Sequence, residues 1–155
     1  MKNRLYDKIC ASVSAITEGE TDTVANMANI AAILGLELEN INWAGFYIMR
    51  GGELVLGPFW GKPACVRIKV GRGVCGTAVM KNEIQLVSDV HEFPGHIACD
   101  AASRSEIVVP LRCDGRVVGV LDIDSPAVGR FDEEDKAGLE RVAGITETAC
   151  RWENK

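Results

Sequence analysis

Ser105-Glu106-Ile107-Val108-Val109-Pro110-Leu111-Arg112-Cys113-Asp114-Gly115-Arg116-Val117-Val118-Gly119-Val120-Leu121-Asp122-Ile123-Asp124 reads as two β-prone runs about a tight turn. Valine and isoleucine dominate both runs, and Cys113-Asp114-Gly115 supplies residues that favour chain reversal. Runs 105–111 and 116–124 are therefore expected to pair as an antiparallel hairpin. Period two sets Val118, Val120, Asp122 and Asp124 on one face of the second run. Aspartate is depleted in strands, and two on one face repel unless a cation or a shared proton lies between them. Such a pair tends to raise the pKa of one member, which gives a carboxylic acid able to donate a proton near neutral pH. Glu106, opening the partner run, is placed to join the pair across the ladder. A solvated strand end is the plainer alternative.

Towards the N-terminus, the segment from Pro94 to Glu106 connects a strand-like run, Ile84 to Ser88, with the hairpin. Long irregular connections in compact domains usually carry function. This one holds Cys99, and both histidines of the chain, His91 and His96, lie within it or just before it. Cys99 is expected to be a nucleophile, with either histidine a solvated loop residue, a base or a ligand. The six cysteines stand at 10, 65, 75, 99, 113 and 150. Cys65, Cys75 and Cys99 fall in or beside loops. Cys75 sits near the start of a short helix expected over Val74 to Met80. Lys62, Arg67, Lys69 and Arg72 crowd the same segment, and positive neighbours favour a thiolate. Cys10 reads as an apolar filler, and Cys150 carries no signal.

The rest of the chain supplies the layers. Leu5, Ile9, Val13 and Ile16 recur at helical spacing over residues 3 to 17. Thr21 or Asp22 can cap a second helix, with Val24, Met27, Ile30, Ile33 and Leu34 as its apolar face and Gly35 as its stop. Trp43 to Met49 reads as a strand that turns at Gly51-Gly52 into Leu54 to Phe59. Period two puts Trp43, Gly45, Tyr47 and Met49 on one face, and Ala44, Phe46 and Ile48 on the other. Trp43 and Tyr47 are thus core residues or the aromatic wall of a small pocket. Val66 to Val70 is a further strand. A closing helix is capped by Asp132, opened by Glu133, Glu134 and Asp135, and striped by Leu139, Val142, Ile145 and Ala149. The expected fold is α+β, a single domain over residues 1–155, with a central antiparallel sheet and the N- and C-terminal helices packed on it.

Composition narrows the function classes. A net charge of −5 over 155 residues, with no basic stripe, gives nucleic-acid binding no electrostatic support. No signal-peptide pattern opens the chain and no run of about eighteen apolar residues occurs, so a cytoplasmic protein with no membrane contact is expected. In a reducing cytosol, cysteines that matter are catalytic, metal-bound or redox-sensing rather than structural staples.

The residues that carry these features resemble a known family, the free methionine-(R)-sulfoxide reductases, which are single GAF domains. The resemblance lies in Asn42-Trp43-Ala44-Gly45-Phe46-Tyr47, Gly71-Arg72-Gly73-Val74-Cys75-Gly76, His96-Ile97-Ala98-Cys99-Asp100, Ser103-Arg104-Ser105-Glu106-Ile107-Val108-Val109-Pro110 and Gly119-Val120-Leu121-Asp122-Ile123-Asp124-Ser125. It implies that Cys99 attacks the sulfoxide sulfur and becomes a sulfenic acid. Cys65 would be the main resolving cysteine, with Cys75 a secondary partner. Trp43 and Tyr47 would line the methyl-sulfoxide end of the pocket, with Ile97 and Ala98 also at the substrate. Glu106, Asp122 and Asp124 would hold its polar groups and supply a proton. The resemblance further implies a GAF-like fold, no cofactor, recycling by a thioredoxin-like reductant, and a homodimer.

Two rival readings remain at this point. A GAF module could bind a regulatory ligand without chemistry, which leaves three loop cysteines without a purpose. A zinc site could be built from Cys65, Cys75, Cys99 and His96, but the wide spacings are unlike the short cysteine pairs of structural zinc sites. No bound metal is expected.

Overall fold

The computed structural model describes residues 1–95 and 102–152. Helix α1 (Lys2–Thr17) buries Tyr6, Ile9, Cys10, Val13 and Thr17, a stripe at helical spacing. Cys10 is the apolar filler its position suggested. Helix α2 (Thr23–Glu37) is capped by Asp22, whose carboxylate accepts a hydrogen bond from the Ala25 N–H at 2.9 Å. The expected stop at Gly35 is not observed, because α2 runs through that residue. The glycine instead makes room for a neighbour: a Cβ there would lie 2.3 Å from Trp60 Cγ. Tertiary packing, not chain termination, explains it.

The strands are β1 (Trp43–Arg50), β2 (Glu53–Gly61), β3 (Arg67–Lys69), β4 (Gln85–Val87), β5 (Ser105–Cys113) and β6 (Arg116–Ser125). Helix α3 (Gly73–Lys81) joins β3 to β4, and α4 (Glu133–Ala149) closes the chain. A single 3₁₀ turn at Val90–Glu92 interrupts the connection after β4, and its sequence gave no periodic signal for it. The six strands form one sheet in the order β3-β2-β1-β6-β5-β4, every neighbouring pair antiparallel. Both tight turns use left-handed backbone, Gly51 and Gly52 at φ 60° and 83°, Asp114 and Gly115 at φ 54° and 76°. That geometry matches the twist of the strands it joins.

The alternation of side chains along β1 divides the molecule into two cores. Ala44 and Phe46 face α1, α2 and α4, together with Ile107, Val109, Leu111, Leu121 and Ile123. Trp43 and Tyr47 face the other way, with Val108, Val120, Leu54, Ile68, Val74, Cys75 and Ala78. Val118 breaks the expected pattern. It packs on the helical side, because the β5–β6 register shifts between Leu111 and Arg112 and resets the alternation. Among the described residues no helix is long and apolar enough to cross a membrane.

Helices α1 and α4 are tied by a buried polar anchor. Asp135 accepts hydrogen bonds from Lys2 Nζ at 2.8 Å, the Tyr6 hydroxyl at 2.8 Å, an Arg130 guanidinium N–H at 3.3 Å and the Asp132 N–H at 3.0 Å. The Tyr6 ring lies flat on Gly138, where a Cβ would sit 2.1 Å from Tyr6 Cγ. Helix propensity alone favours alanine over glycine by about 1 kcal/mol. The clash reverses the sign: Gly138→Ala is expected to destabilise by roughly 1–3 kcal/mol, read as a lower midpoint in urea unfolding. A midpoint that rises would contradict this packing.

Candidate active site

The sheet face away from α1, α2 and α4 carries the acidic residues. Glu106 pairs directly with Asp124 across β5–β6, and Val108 with Asp122. On the other side of β6, Asp124 pairs with Trp43 and Asp122 with Gly45. The register therefore gathers one residue from β5, two from β6 and the aromatic residues of β1 into one patch. Helix α3 lies over it. The Cys75 thiol donates to Asp122 Oδ2 at 3.4 Å, with Glu106 Oε2 at 3.9 Å. The helix is held there by its own first residue, since the Gly73 N–H donates to the Gly95 carbonyl at 3.1 Å.

Between α3 and the sheet lies a small cavity. Trp43, Tyr47 and Ile68 form an apolar side, while Cys75, Glu106, Asp122 and Asp124 form a polar one. Trp43 stacks on Tyr47 with ring centroids 5.9 Å apart and on Phe59 at 5.2 Å. The two readings of these aromatics, core and pocket wall, both hold. Pro63, Ala64, Arg72, Gly73, Val74 and Ser103 complete the lining. Arg72, Gly73, Val74 and Ser103 belong to the motifs that carry the family resemblance but had no pocket role assigned, and Pro63 and Ala64 carried no signal, because each reaches the cavity only through how loops and α3 settle on the sheet.

The electrostatics are dominated by burial. Glu106 is 8% exposed and Asp122 5% exposed. Loss of water pushes the Glu106 pKa well above the usual carboxylate range, and the neighbouring Asp122 adds to the effect. Burial raises Asp122 likewise, with Asp124 as the next cause. Asp122 Oδ1 is sealed from solvent and accepts no hydrogen bond from a donor among the described residues. Cys75 departs from expectation. Its place near a helix start among basic residues suggested a thiolate, yet burial, then Asp122 and Glu106, push the thiol well above its ordinary value. The basic residues do not pair with the cluster: Arg67 pairs with Glu53 at 3.1 Å, Lys62 and Lys69 are exposed, and Arg72, also exposed, reaches only the cavity lining. Burial thus favours the protonated form of each of these three groups, Glu106, Asp122 and Cys75.

Cys75 Sγ and one oxygen each from Glu106 and Asp122 lie within 4.8 Å of one another, which is the spacing of a potential cation site. The thiol proton already bridges towards both carboxylates, and their raised pKa values oppose the deprotonation that a metal requires. Cys65 is disulfide-bonded, whereas Cys10, Cys75, Cys113 and Cys150 are free thiols. Cys99, together with His96, Ile97, Ala98 and Asp100, lies outside the described residues. The positions flanking that segment are fixed beside the cavity: Gly95 bonds α3, and the Arg104 N–H donates to the Ser125 carbonyl at 2.7 Å. His91 sits in the 3₁₀ turn and does not line the cavity.

The chain matches the GAF domain over residues 4–150. It is 53% identical to the free methionine-R-sulfoxide reductase of Escherichia coli strain K12, covering 94% of this chain and 88% of that one. It is 41% identical to the free methionine-R-sulfoxide reductase of Saccharomyces cerevisiae, covering 96% and 87%. The crystal structure of the Neisseria meningitidis free methionine-R-sulfoxide reductase in complex with its substrate superposes with a TM-score of 0.93 at 47% identity, over 96% of this chain and 90% of that one.

The raised carboxyl pKa values carry a consequence for stability. The folded protein keeps protons that the unfolded chain releases above about pH 4, so stability falls as pH rises through the raised native values. Asp122→Asn keeps an acceptor for the Cys75 thiol and removes one buried charge. At mildly alkaline pH it is expected to stabilise by about 1 kcal/mol, roughly 2–4 °C in Tm, with the gain shrinking towards acid pH. Thermal unfolding of both proteins across pH checks this. A variant less stable at every pH would refute the protonated cluster.

Proposed function

The chain belongs to the GAF-domain family of free methionine-R-sulfoxide reductases, and we propose that it reduces free L-methionine-(R)-sulfoxide to methionine through a cysteine sulfenic acid and an intramolecular disulfide. The observation that carries this reading is the cavity itself, in which an aromatic wall faces a buried, proton-holding acid cluster. A methyl sulfoxide needs both. Its methyl group and sulfur favour the Trp43 and Tyr47 rings. Its oxygen leaves only with a proton, which a carboxylic acid of raised pKa can supply.

In the proposed sequence, the Cys99 thiolate attacks the sulfoxide sulfur while the Glu106–Asp122–Asp124 cluster protonates the oxygen. In the adduct the protonated oxygen passes to the Cys99 sulfur: the new S–S bond and the methionine S–O bond break, a Cys99 S–O bond forms, methionine leaves, and Cys99 is left as sulfenic acid. The cysteine sulfur loses the two electrons that the sulfoxide sulfur gains. The Cys65 thiol then displaces the hydroxyl of that sulfenic acid, giving a Cys65–Cys99 disulfide and water. An external dithiol of the thioredoxin type restores both thiols by exchange. Two observations support the assignment. Cys65 is the disulfide-bonded cysteine among the described residues. Cys99 stands four residues along the chain from Gly95, which bonds α3, and four from Ser103, which lines the cavity.

Cys75 takes a different role in this account. Buried and held well above its ordinary pKa, it stays a thiol that orients Asp122 and does not resolve the sulfenic acid. The acid cluster also suits the free amino acid, whose ammonium group can face Glu106, Asp122 and Asp124, with Ile97 and Ala98 proposed to meet its other end. The unit of function is the single domain over 1–155, in the cytoplasm and as a homodimer.

Reductant-coupled turnover on each epimer of free methionine sulfoxide, with Cys99→Ser alongside, tests the proposal. The R epimer is expected to turn over, with the S epimer and peptide-bound sulfoxide at least about a hundredfold slower; this asks for roughly 3 kcal/mol of discrimination. Cys99→Ser should abolish the reaction. Activity on the R epimer that survives in Cys99→Ser would defeat the reading, as would a chain that binds the sulfoxide but never converts it.

A further inference from the structure

The segment between β2 and β3 has no helix or strand of its own, yet it carries Cys65. Backbone polar groups in such a segment need partners from elsewhere. They find them on the pocket aromatics. The Trp43 indole N–H donates to the Lys62 carbonyl at 3.1 Å, and the Tyr47 hydroxyl donates to the Cys65 carbonyl at 3.0 Å. The flanks are tied to the sheet, with Gly61 paired to Trp43 and the Leu56 N–H bonded to the Val66 carbonyl at 2.9 Å. Cys65 itself is half-buried, next to Ala64 and Pro63, which close the cavity. Tyr47 therefore presents its ring to the cavity and its hydroxyl to the backbone of a redox-active cysteine. The phenol remains a donor, since burial and then Asp122 push its pKa far up.

We propose that Tyr47 is a positioning residue for the resolving step: its hydroxyl holds the Cys65 backbone where the thiol can close on the sulfenic acid, while its ring walls the sulfoxide pocket. The inference rests on Cys65 resolving Cys99, and adds a residue that couples the two half-reactions. Disulfide closure requires α-carbons within about 7 Å, so freedom in the 62–65 segment lowers the effective concentration of the attacking thiol. The step is Cys99 sulfenic acid plus Cys65 thiol giving disulfide plus water, with no outside reductant.

Tyr47→Phe keeps the ring and removes only the hydroxyl. The reduced protein, the variant and Cys65→Ser are each oxidised in two ways without reductant, by one equivalent of free methionine-(R)-sulfoxide or of hydrogen peroxide. Sulfenic acid is trapped with a cyclic dione at timed quenches, the Cys65–Cys99 disulfide is followed by peptide mass, and released methionine is counted. In Tyr47→Phe, closure is expected to slow about fivefold to tenfold, the loss of one hydrogen bond, with trapped sulfenic acid rising towards the Cys65→Ser level. Because the Tyr47 ring also walls the pocket, methionine release is measured on the same samples, and the proposal requires closure to slow at least about fivefold more than release; thermal unfolding reports that the variant is folded. Closure in Tyr47→Phe within twofold of the parent overturns the proposal. So does a loss of first-turnover methionine equal to the loss of closure, which puts the hydroxyl in the pocket chemistry. The peroxide arm separates the two claims. A parent that closes its disulfide with peroxide but not with sulfoxide counts against the reductase reading alone, and the Tyr47 comparison then stands on the peroxide rates. A parent that forms no Cys65-dependent disulfide with either oxidant overturns both.

Discussion

The interaction on which the site depends is the confinement of Glu106 and Asp122 with the Cys75 thiol beneath α3, out of reach of water. Two carboxylates this close, with Asp124 beside them, cannot all ionise in a low-dielectric setting. Burial favours the protonated forms, and among the described residues no lysine or arginine pairs with Glu106 or Asp122. That preference fixes much of the chemistry. The Cys75 thiol is a hydrogen-bond donor in this cluster, and in the proposed reaction a carboxylic acid here protonates the sulfoxide oxygen.

Such a cluster is costly to bury, and the layered fold divides the labour. The core between the sheet and α1, α2 and α4 is mainly apolar, with Thr17, Asn26 and Thr146 as buried polar residues on the helices, and is closed at one edge by Asp135 with its four donors. The opposite face holds fewer apolar residues and all of the acids of the cavity. Stability resides mainly on one side of the sheet and chemistry on the other, a separation that proteins with strained sites commonly show. The aromatic residues of β1 bridge the two demands. Trp43 and Tyr47 fill the second core, wall the cavity and bond the segment that carries Cys65.

Much of this arrangement was legible in the chain. Alternation along β1 separated Trp43 and Tyr47 from Ala44 and Phe46, and the turn at Asp114-Gly115 announced the hairpin that brings Glu106 opposite Asp124. What escaped was set by contacts distant in sequence. Gly35 looked like a helix stop until Trp60 of β2 was found lying on it. The basic residues around Cys75 suggest a thiolate, but local sequence cannot show that the thiol turns towards carboxylates on strands thirty and more residues away. Val118 changed faces because of one register shift. The link from the Tyr47 hydroxyl to the Cys65 carbonyl depends on where a loop without periodic structure comes to rest, and no pattern in the sequence encodes that.

The central claim, that the buried cluster keeps a carboxyl proton in the working range of pH, is open to direct observation. Infrared difference spectra of the reduced protein, titrated from acid to alkaline pH and compared with Glu106→Gln/Asp122→Asn, isolate the carbonyl stretch of a protonated carboxyl group. The account predicts a band that persists at neutral pH in the parent protein and is missing from the double variant. A spectrum in which every carboxyl group has ionised by about pH 5, close to the ordinary range for aspartate and glutamate, would contradict it.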